Sequence, residues 1–572
     1  MRRCAADLIC DTLRHLGVTT VFGMAGSQNV GLFEALRRSS LRTVTSTSEL
    51  AAAFAANGYY RASGEVGVLT TVPGPGFVIA LNGIAEARLD SAGLLLITSS
   101  EAEESKRKFE HQQIDMKGIA GPLFKQIFEV RHIQELVPVL VRAYQLAGTG
   151  EPGPVMVHLR QAVYNEYSEV PVDISVPMMK TGGREHVAEV VGLISRASRV
   201  SLFVGQGCAS YPDHVRRLAE RLNAPVMSTC SGRGVLPENH PLSLSFDYSL
   251  GGGREVNAWI DSSDLVLALG CKFSHNGSGG FRLRIPKDKL IHVDASDEVI
   301  GANYPARIGI IGDVGAFLDA LLGALDSAIP VSKWTEQEMR NWRSRFQDER
   351  SSLLKHVPIV QARPSLPLES FFSELRACLP DDACLVTDSG YHQMLARQFY
   401  QVNVPRGLIV PSDFQSMGFG IPAAIGAALA APLRKTVTIV GDGGMAITGM
   451  ELLTAVREGI DLLVIVFNDG HLGLIRLSQI EAFGREHAVA LQNPDFEMLA
   501  GAIGAEYFAL DGPPSPILER CLESSGVRIL EVSLRDSADL RWTRLRRATR
   551  HAVRRTISPG LYSRLRKFWR GK

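Results

Sequence analysis

Apolar residues along this chain fall into short runs of four to seven, each closed by a glycine, serine or carboxylate and separated by longer segments of helical period. This is the pattern of strands buried on both faces alternating with covering helices, and it predicts parallel sheets. A helix over Ala5–Leu16 leads into a strand at Thr20–Phe22 and the turn Gly23-Met-Ala-Gly26-Ser27. Further strands are expected at Ser201–Val204, Pro225–Ser228, Asp264–Leu269 and Leu290–Val293, and later at Cys384–Thr387. The clearest unit is Val437–Gly473, where strands Thr436–Val440 and Leu462–Phe467 flank a helical crossover and are followed by Asp442 and Asp469. Such a crossover makes the two strands parallel and brings both carboxylates to one sheet edge, where ligands bind in open α/β folds.

The alternation comes in three blocks, which predicts three doubly wound α/β domains at about 1–165, 186–327 and 367–535, followed by a tail at 536–572. Glu166–Glu185 has a linker's Pro, Gly and Ser content, and Trp334–Leu354 reads as a charged helix between the second and third domains. At 572 residues and 45% hydrophobic composition the chain has ample material for three cores. The eight cysteines are scattered without a CxxC pair, which suits reduced core residues. Met1 opens a helical pattern with no leader and no apolar run long enough to span a bilayer, so a cytoplasmic protein is expected.

The net charge of +1 hides an asymmetry. Arg541–Lys572 holds twelve Lys/Arg and no acid, leaving 49 basic against 60 acidic residues, a net of −11, in the body. Among those arginines stand Trp542, Leu545, Leu561, Leu565, Phe568 and Trp569, a composition suited to a membrane-peripheral helix or a protein contact; a solvated or lid-forming extension is the alternative. A basic tail by itself is no nucleic-acid site, and none is expected.

The motifs carry more. Gly441-Asp442-Gly443-Gly444, then Asn468-Asp469 after one crossover, with Gly390-Tyr391-His392-Gln393 and Met417-Gly-Phe-Gly-Ile-Pro-Ala-Ala, resemble the thiamine diphosphate (ThDP) enzymes. The likeness is nearest to acetolactate synthase large subunits and covers roughly residues 3–535. Asp469 departs from the family's usual second Asn and is read as a charged version of the same ligand. The resemblance implies Mg²⁺ held by Asp442, Asp469 and the main-chain oxygen of His471, with diphosphate completing the shell. It places cofactor contacts at Gly26, Ser27, Gly74, Gly390, His392, Gln393 and Gln415, and at Met417 as the wedge that bends the cofactor. Further contacts fall on Gly441, Asp442, Gly443, Gly444, Asn468, Asp469, His471, Leu472 and Gly473.

Glu49, opening the alanine-rich segment after Ser48, sits where the family keeps the carboxyl that activates the pyrimidine ring. Gln112 aligns with an amide near the reacting carbon, and His111 adds a group that titrates near neutral pH. Val72 stands where several simple decarboxylases carry a catalytic His. Thr448-x-x-Glu451 reads as a capping box for the crossover helix. Gly205-Gln-Gly207 is a weak dinucleotide signal, and FAD in the middle domain is a further expectation from the resemblance.

The implied activity is decarboxylation of a small 2-oxo acid and ligation of the resulting acyl unit to a second carbonyl, by a homodimer or homotetramer sharing its sites between subunits. Alternatives are a non-ligating decarboxylase, suggested also by Ser27, a flavin-linked peripheral oxidase and a silent cofactor-binding protein.

Overall fold

The computed structural model describes residues 3–99, 111–168, 182–184, 186–244, 247–248, 253–325, 332–354, 360–362 and 368–536. The basic tail therefore lies outside the described residues. Three sheets follow one another along the chain. The first has six parallel strands in the order 42–45, 20–23, 67–71, 94–99, 154–159 and 126–130. An antiparallel pairing of Arg3–Cys4 with Tyr167–Ser168 ties the start of the chain to the end of this unit. The second sheet has five parallel strands, 226–228, 200–204, 265–269, 290–294 and 308–311. In the third, the parallel strands 527–536, 462–468, 436–441, 384–387 and 408–409 lie side by side, and 506–509 also pairs with 527–536. Val360–Ala362 joins that sheet antiparallel at Leu534–Asp536, ahead of the helix Leu368–Cys378.

Each sheet is covered on both faces by apolar clusters, so the domains are doubly wound. That double burial is why the strands read as unbroken apolar runs. All eight cysteines are free thiols. Among the described residues no helix is long and apolar enough to cross a membrane.

One helix crossing positions everything that follows. Glu49–Ser63 is buried from Ala51 through Ala62 and packs on Gly420–Ala430 of the third domain. Its alanines and the partner's glycines let the backbones touch: a Cβ on Gly58 would fall 2.0 Å from the Ala423 carbonyl oxygen, and one on Gly426 would fall 1.9 Å from that of Ala55. Phe54 and Phe419 meet edge to face beside this contact. Nearby, the buried Arg61 pairs with Asp90 at 2.9 Å, and Asp90 in turn accepts from the Ser412 main chain at 3.1 Å. Helix, ion pair and main chain thus join the first and third domains of one chain.

The expected capping box does not form. The crossover helix starts at Asp442 and runs to Thr448, followed by a single 3₁₀ turn and a second helix, Leu452–Arg457. Thr448 Oγ1 donates to Gly418 O at 2.9 Å, and Glu451 Oε2 accepts from the Thr47 main chain at 2.9 Å. Tertiary partners have taken both side chains from the local motif.

Candidate active site

The predicted residues gather in two places. The first is at the C-terminal edge of the third sheet, where strands 436–441 and 462–468 run in register and end on Gly441 and Asn468. Beyond them lies a cavity of about 140 Å³ walled by Gly390, His392, Met417, Gly441, Asp442, Gly443, Gly444, Asp469, His471, Leu472 and Gly473.

Asp442 is 3% exposed, and its carboxylate accepts from Gly443 N at 2.9 Å, Gly470 N at 2.8 Å and Asn493 Nδ2 at 2.7 Å. Burial still raises its pKa, because three neutral donors do not replace bulk water. Asp469 accepts from His471 N at 2.9 Å, and burial with the nearby Asp442 pushes its carboxyl up to about 6. Two buried carboxylates, one raised by the other, mark a place for a cation. Among the described residues no three His, Cys, Asp or Glu side chains gather as a metal site. A hard ion here would draw on main-chain and phosphate oxygens beyond the two carboxylates, which is how Mg²⁺ is usually held.

His392 is fully packed, burial lowers its imidazole to about 4, and its Nε2 has no partner among the described residues. The neutral ring has one N–H, which the Asp388 main chain takes, so Nε2 stands at the cavity with its lone pair unpartnered and donates only when the ring is protonated. The ring lies flush with Gly390 and Gly441, whose added Cβ atoms would come within 2.8 and 3.1 Å of it. Met417 closes the opposite side, its Cε 3.1 Å from where a Cβ on Gly443 would stand. The loop carrying it is set by Gln415 at φ +64°, whose Nε2 donates to Ser412 O at 2.6 Å, and by Glu86 Oε2, which accepts from Ser416 N at 2.8 Å. A buried imidazole with one unpartnered nitrogen, a glycine wall and two carboxylates suit a diphosphate with its metal, so the residues present fit ThDP.

Two predicted residues stand behind the wall rather than on it. Gln393 is 2% exposed and spends its amide on Pro411 O at 2.9 Å. Asn468 donates to Glu531 at 2.7 Å and accepts from Asn493 at 2.9 Å, so both ends of its amide are used. Sequence reasoning missed Asn493, which bridges Asn468 and Asp442; it sits in a loop without periodicity and carries no local signal.

The second group is in the first domain. Glu49 follows the N-cap Ser48, whose side chain accepts from Ala51 N at 3.2 Å, and is 9% exposed. A Cβ on Gly76 would fall 2.7 Å from Glu49 Oε1 and 2.8 Å from Val72, and one on Gly26 would fall 2.5 Å from Val72. Gly74, at φ +65°, leaves room for Gln112: a Cβ there would fall 2.5 Å from the Gln112 carbonyl oxygen. Gly26, Ser27, Gly74 and Gln112 thus lie around Glu49. His111 is exposed. No residue of this group lines the third-domain cavity, and among the described residues none of that cavity's walls comes from the first domain.

A second cavity, of about 250 Å³, lies where the three domains meet, bordered by Asp90, Gln206, Lys272, Asp294, Arg406 and Asp413. Two of its glycines, Gly207 and Gly270, pack on each other: a Cβ on Gly207 would fall 2.8 Å from Gly270 Cα. Neither cation on its wall is free. Lys272 holds Glu151 at 2.8 Å, and Arg406 donates to Ser210 at 3.0 Å. A flavin diphosphate finds no spare cation among these wall residues, and no step below uses flavin.

Comparison with known proteins agrees with the geometry. The chain matches the N-terminal TPP binding domain of the thiamine pyrophosphate enzymes over residues 3–119, their central domain over 187–321 and their C-terminal TPP binding domain over 388–532. It is 30% identical to the acetolactate synthase isozyme 1 large subunit of Escherichia coli, covering 93% of this chain and 94% of that protein. It is 31% identical to a probable acetolactate synthase large subunit of Methanocaldococcus jannaschii, over 88% and 86% of the two chains, and 31% identical to an acetolactate synthase of Arthrospira platensis, over 94% and 95%. A diphosphate-shaped cavity closed by paired carboxylates, a separate carboxyl on an alanine-rich helix and full-length similarity lead to one conclusion: the chain belongs to the thiamine pyrophosphate enzyme family.

Proposed function

We propose that this protein decarboxylates a small 2-oxo acid and ligates the acyl unit to a second carbonyl, in sites completed between two copies of the chain. The observation that carries this reading is the separation of the two groups: among the described residues of one chain, the cavity with Asp442 and Asp469 takes no wall residue from the first domain. Exposed apolar side chains on the elements bearing each group support a second copy as the missing wall. Val78 and Ile79 follow the Gly74 turn, Phe414 precedes Gln415, and Ile447, Met450 and Leu453 follow Asp442. Apolar side chains clustered in this way mark association surfaces.

ThDP, when bound, supplies an electron sink for the pair left behind as CO₂ departs. Asp442 and Asp469 would hold Mg²⁺ with the main-chain oxygen of His471, and His392 would offer Nε2–H to a phosphate oxygen when the bound anion favours its protonated ring. Met417, on the cavity wall, would support the cofactor as an apolar wedge. Glu49 would hold a proton for a ring nitrogen of the cofactor, and its shelter against Gly76 and Val72 would keep water from competing for that proton. Gln112 presents its amide to the substrate, and Val72 supplies no proton where a decarboxylase would have a His. An acyl unit that is not protonated promptly stays available for a second carbonyl, which favours ligation.

Product analysis with Mg²⁺, ThDP and a panel of 2-oxo acids, with and without an aldehyde or 2-oxo acid acceptor, tests the reading. A hydroxyketone or acetohydroxyacid that disappears in Glu49→Gln is the expected result. Aldehyde as the sole product would replace ligation by simple decarboxylation.

A further inference from the structure

We propose that Gln28 is a positioning residue that fixes the hydrogen-bonding sense of Gln112, so that the site presents only donors to a carboxylate or carbonyl oxygen of the 2-oxo acid; this rests on the function proposed above. Gln28 lies in the turn after strand Thr20–Gly23, a turn locked by Asn29. That side chain is 1% exposed, accepts from Gly26 N at 2.7 Å and donates to Met24 O at 3.0 Å. From this fixed base Gln28 Nε2 donates to Gln112 Oε1 at 2.6 Å, across 84 residues of sequence.

The sense of the contact matters because an amide has one accepting and one donating end. Ser27 Oγ donates to Gln28 Oε1 at 3.1 Å, which occupies the accepting end of Gln28 and leaves its NH₂ for Gln112. Gln112 then has its own accepting end occupied, and its Nε2 has no acceptor among the described residues. The relay Ser27 to Gln28 to Gln112 therefore ends in free N–H groups.

Backbone conformation indicates that this arrangement is held rather than incidental. Gln112 has φ +63°, a left-handed conformation that costs a side-chain-bearing residue about 1 kcal/mol or more. Its carbonyl and Cβ press against Gly74, where an added Cβ would come within 2.5 and 2.9 Å of them. The same glycine turn reaches Glu49 through Gly76. The donors of Gln112 are thereby carried on the turn that also borders the activating carboxyl. They suit an anionic oxygen on either the 2-oxo acid that loses CO₂ or a 2-oxo acid that accepts the acyl unit.

The test is steady-state kinetics of the full-length holoenzyme with Gln28→Glu and Gln28→Met. Gln28→Glu removes the donor and offers an acceptor, which turns the Gln112 amide over so that its oxygen faces the substrate carboxylate. KM for the 2-oxo acid is expected to rise at least about 10-fold with kcat within about 3-fold and ThDP affinity unchanged. Gln28→Met, which keeps the length without the hydrogen bond, is expected to raise KM about 3-fold. A KM change seen in CO₂ release without acceptor assigns the donor molecule; a change seen only when acceptor concentration is varied assigns the acceptor. An active wild type whose constants do not move in either variant overturns the role of Gln28 alone. Joint loss of kcat and ThDP affinity would mark a structural residue and also overturn it. A wild type inactive on every 2-oxo acid overturns the proposed function and this inference with it.

Discussion

Two glycine turns in this protein follow buried strands and look alike in sequence, yet they do opposite things. Gly205-Gln206-Gly207 in the middle domain is packed shut: Cβ atoms at Gly205 and Gly207 would fall 2.0 and 2.8 Å from backbone atoms of Gly270. At Gly441 and Gly443 in the third domain an added Cβ would approach only the side chains of His392, Met417, Leu472 and Leu491, none closer than 3.1 Å. Beyond the first turn lies more protein; beyond the second lies the cavity with its paired carboxylates. A glycine after a strand therefore shows that something comes close, and its surroundings decide whether that is backbone or ligand.

The widest gap should appear between Gly205→Ala and Gly443→Ala. The first drives a methyl into a carbonyl and is expected to cost more than about 3 kcal/mol, read as a collapse in soluble yield and thermal midpoint. The second is expected to keep the wild-type midpoint without cofactor and to weaken ThDP binding roughly 10-fold by calorimetry. Equal destabilisation by both would erase the distinction.

Next in size is Asp469→Ala, expected to lower Mg²⁺-dependent ThDP affinity about 100-fold, while Asp469→Asn retains binding with altered metal affinity. Unchanged binding in the alanine variant would remove Asp469 from the metal site. Asn493→Ala should follow at roughly 10-fold, because it frees Asp442 from one of its three donors without touching the cavity directly. Metal titration of the two variants side by side checks that order.

The smallest effect concerns Glu86, which braces the Met417 loop through Ser416. Burial, reinforced by Asp90, pushes its carboxyl up to about 8, above its unfolded value near 4.3. The native state then binds more protons than the unfolded chain between those values, so this residue's contribution to stability falls as pH rises through that window. Glu86→Gln is expected to match the wild-type melting temperature near pH 4 and to exceed it by a few degrees at pH 8. A constant difference across pH would show that Glu86 does not titrate in this range.

How much was legible in the chain depended on how far apart the partners lie. The strand runs, the crossover and the positions of Asp442 and Asp469 were readable because a buried parallel strand is an uninterrupted apolar run and its end is marked by the next polar residue. Glu49, Gly74 and Met417 stood out because motif spacing is local. The capping box at Thr448 failed since Gly418 and Thr47, far away in sequence, offered those side chains better partners. Gln393 was expected at the cofactor from its place in the Gly390-Tyr391-His392-Gln393 motif, but Tyr391 and His392 line the cavity while the Gln393 amide turns to Pro411 O.

The sequence by itself determined the sheets, the two carboxylates at one edge and the family chemistry, because periodicity and short motifs record what each residue meets nearby. Only the tertiary structure decided that Asn493 steadies Asp442, that Gln28 directs Gln112, and that the middle-domain glycines pack against backbone. Those are contacts between segments 25 or more residues apart, and an amide or a glycine looks the same in sequence whatever the fold brings against it.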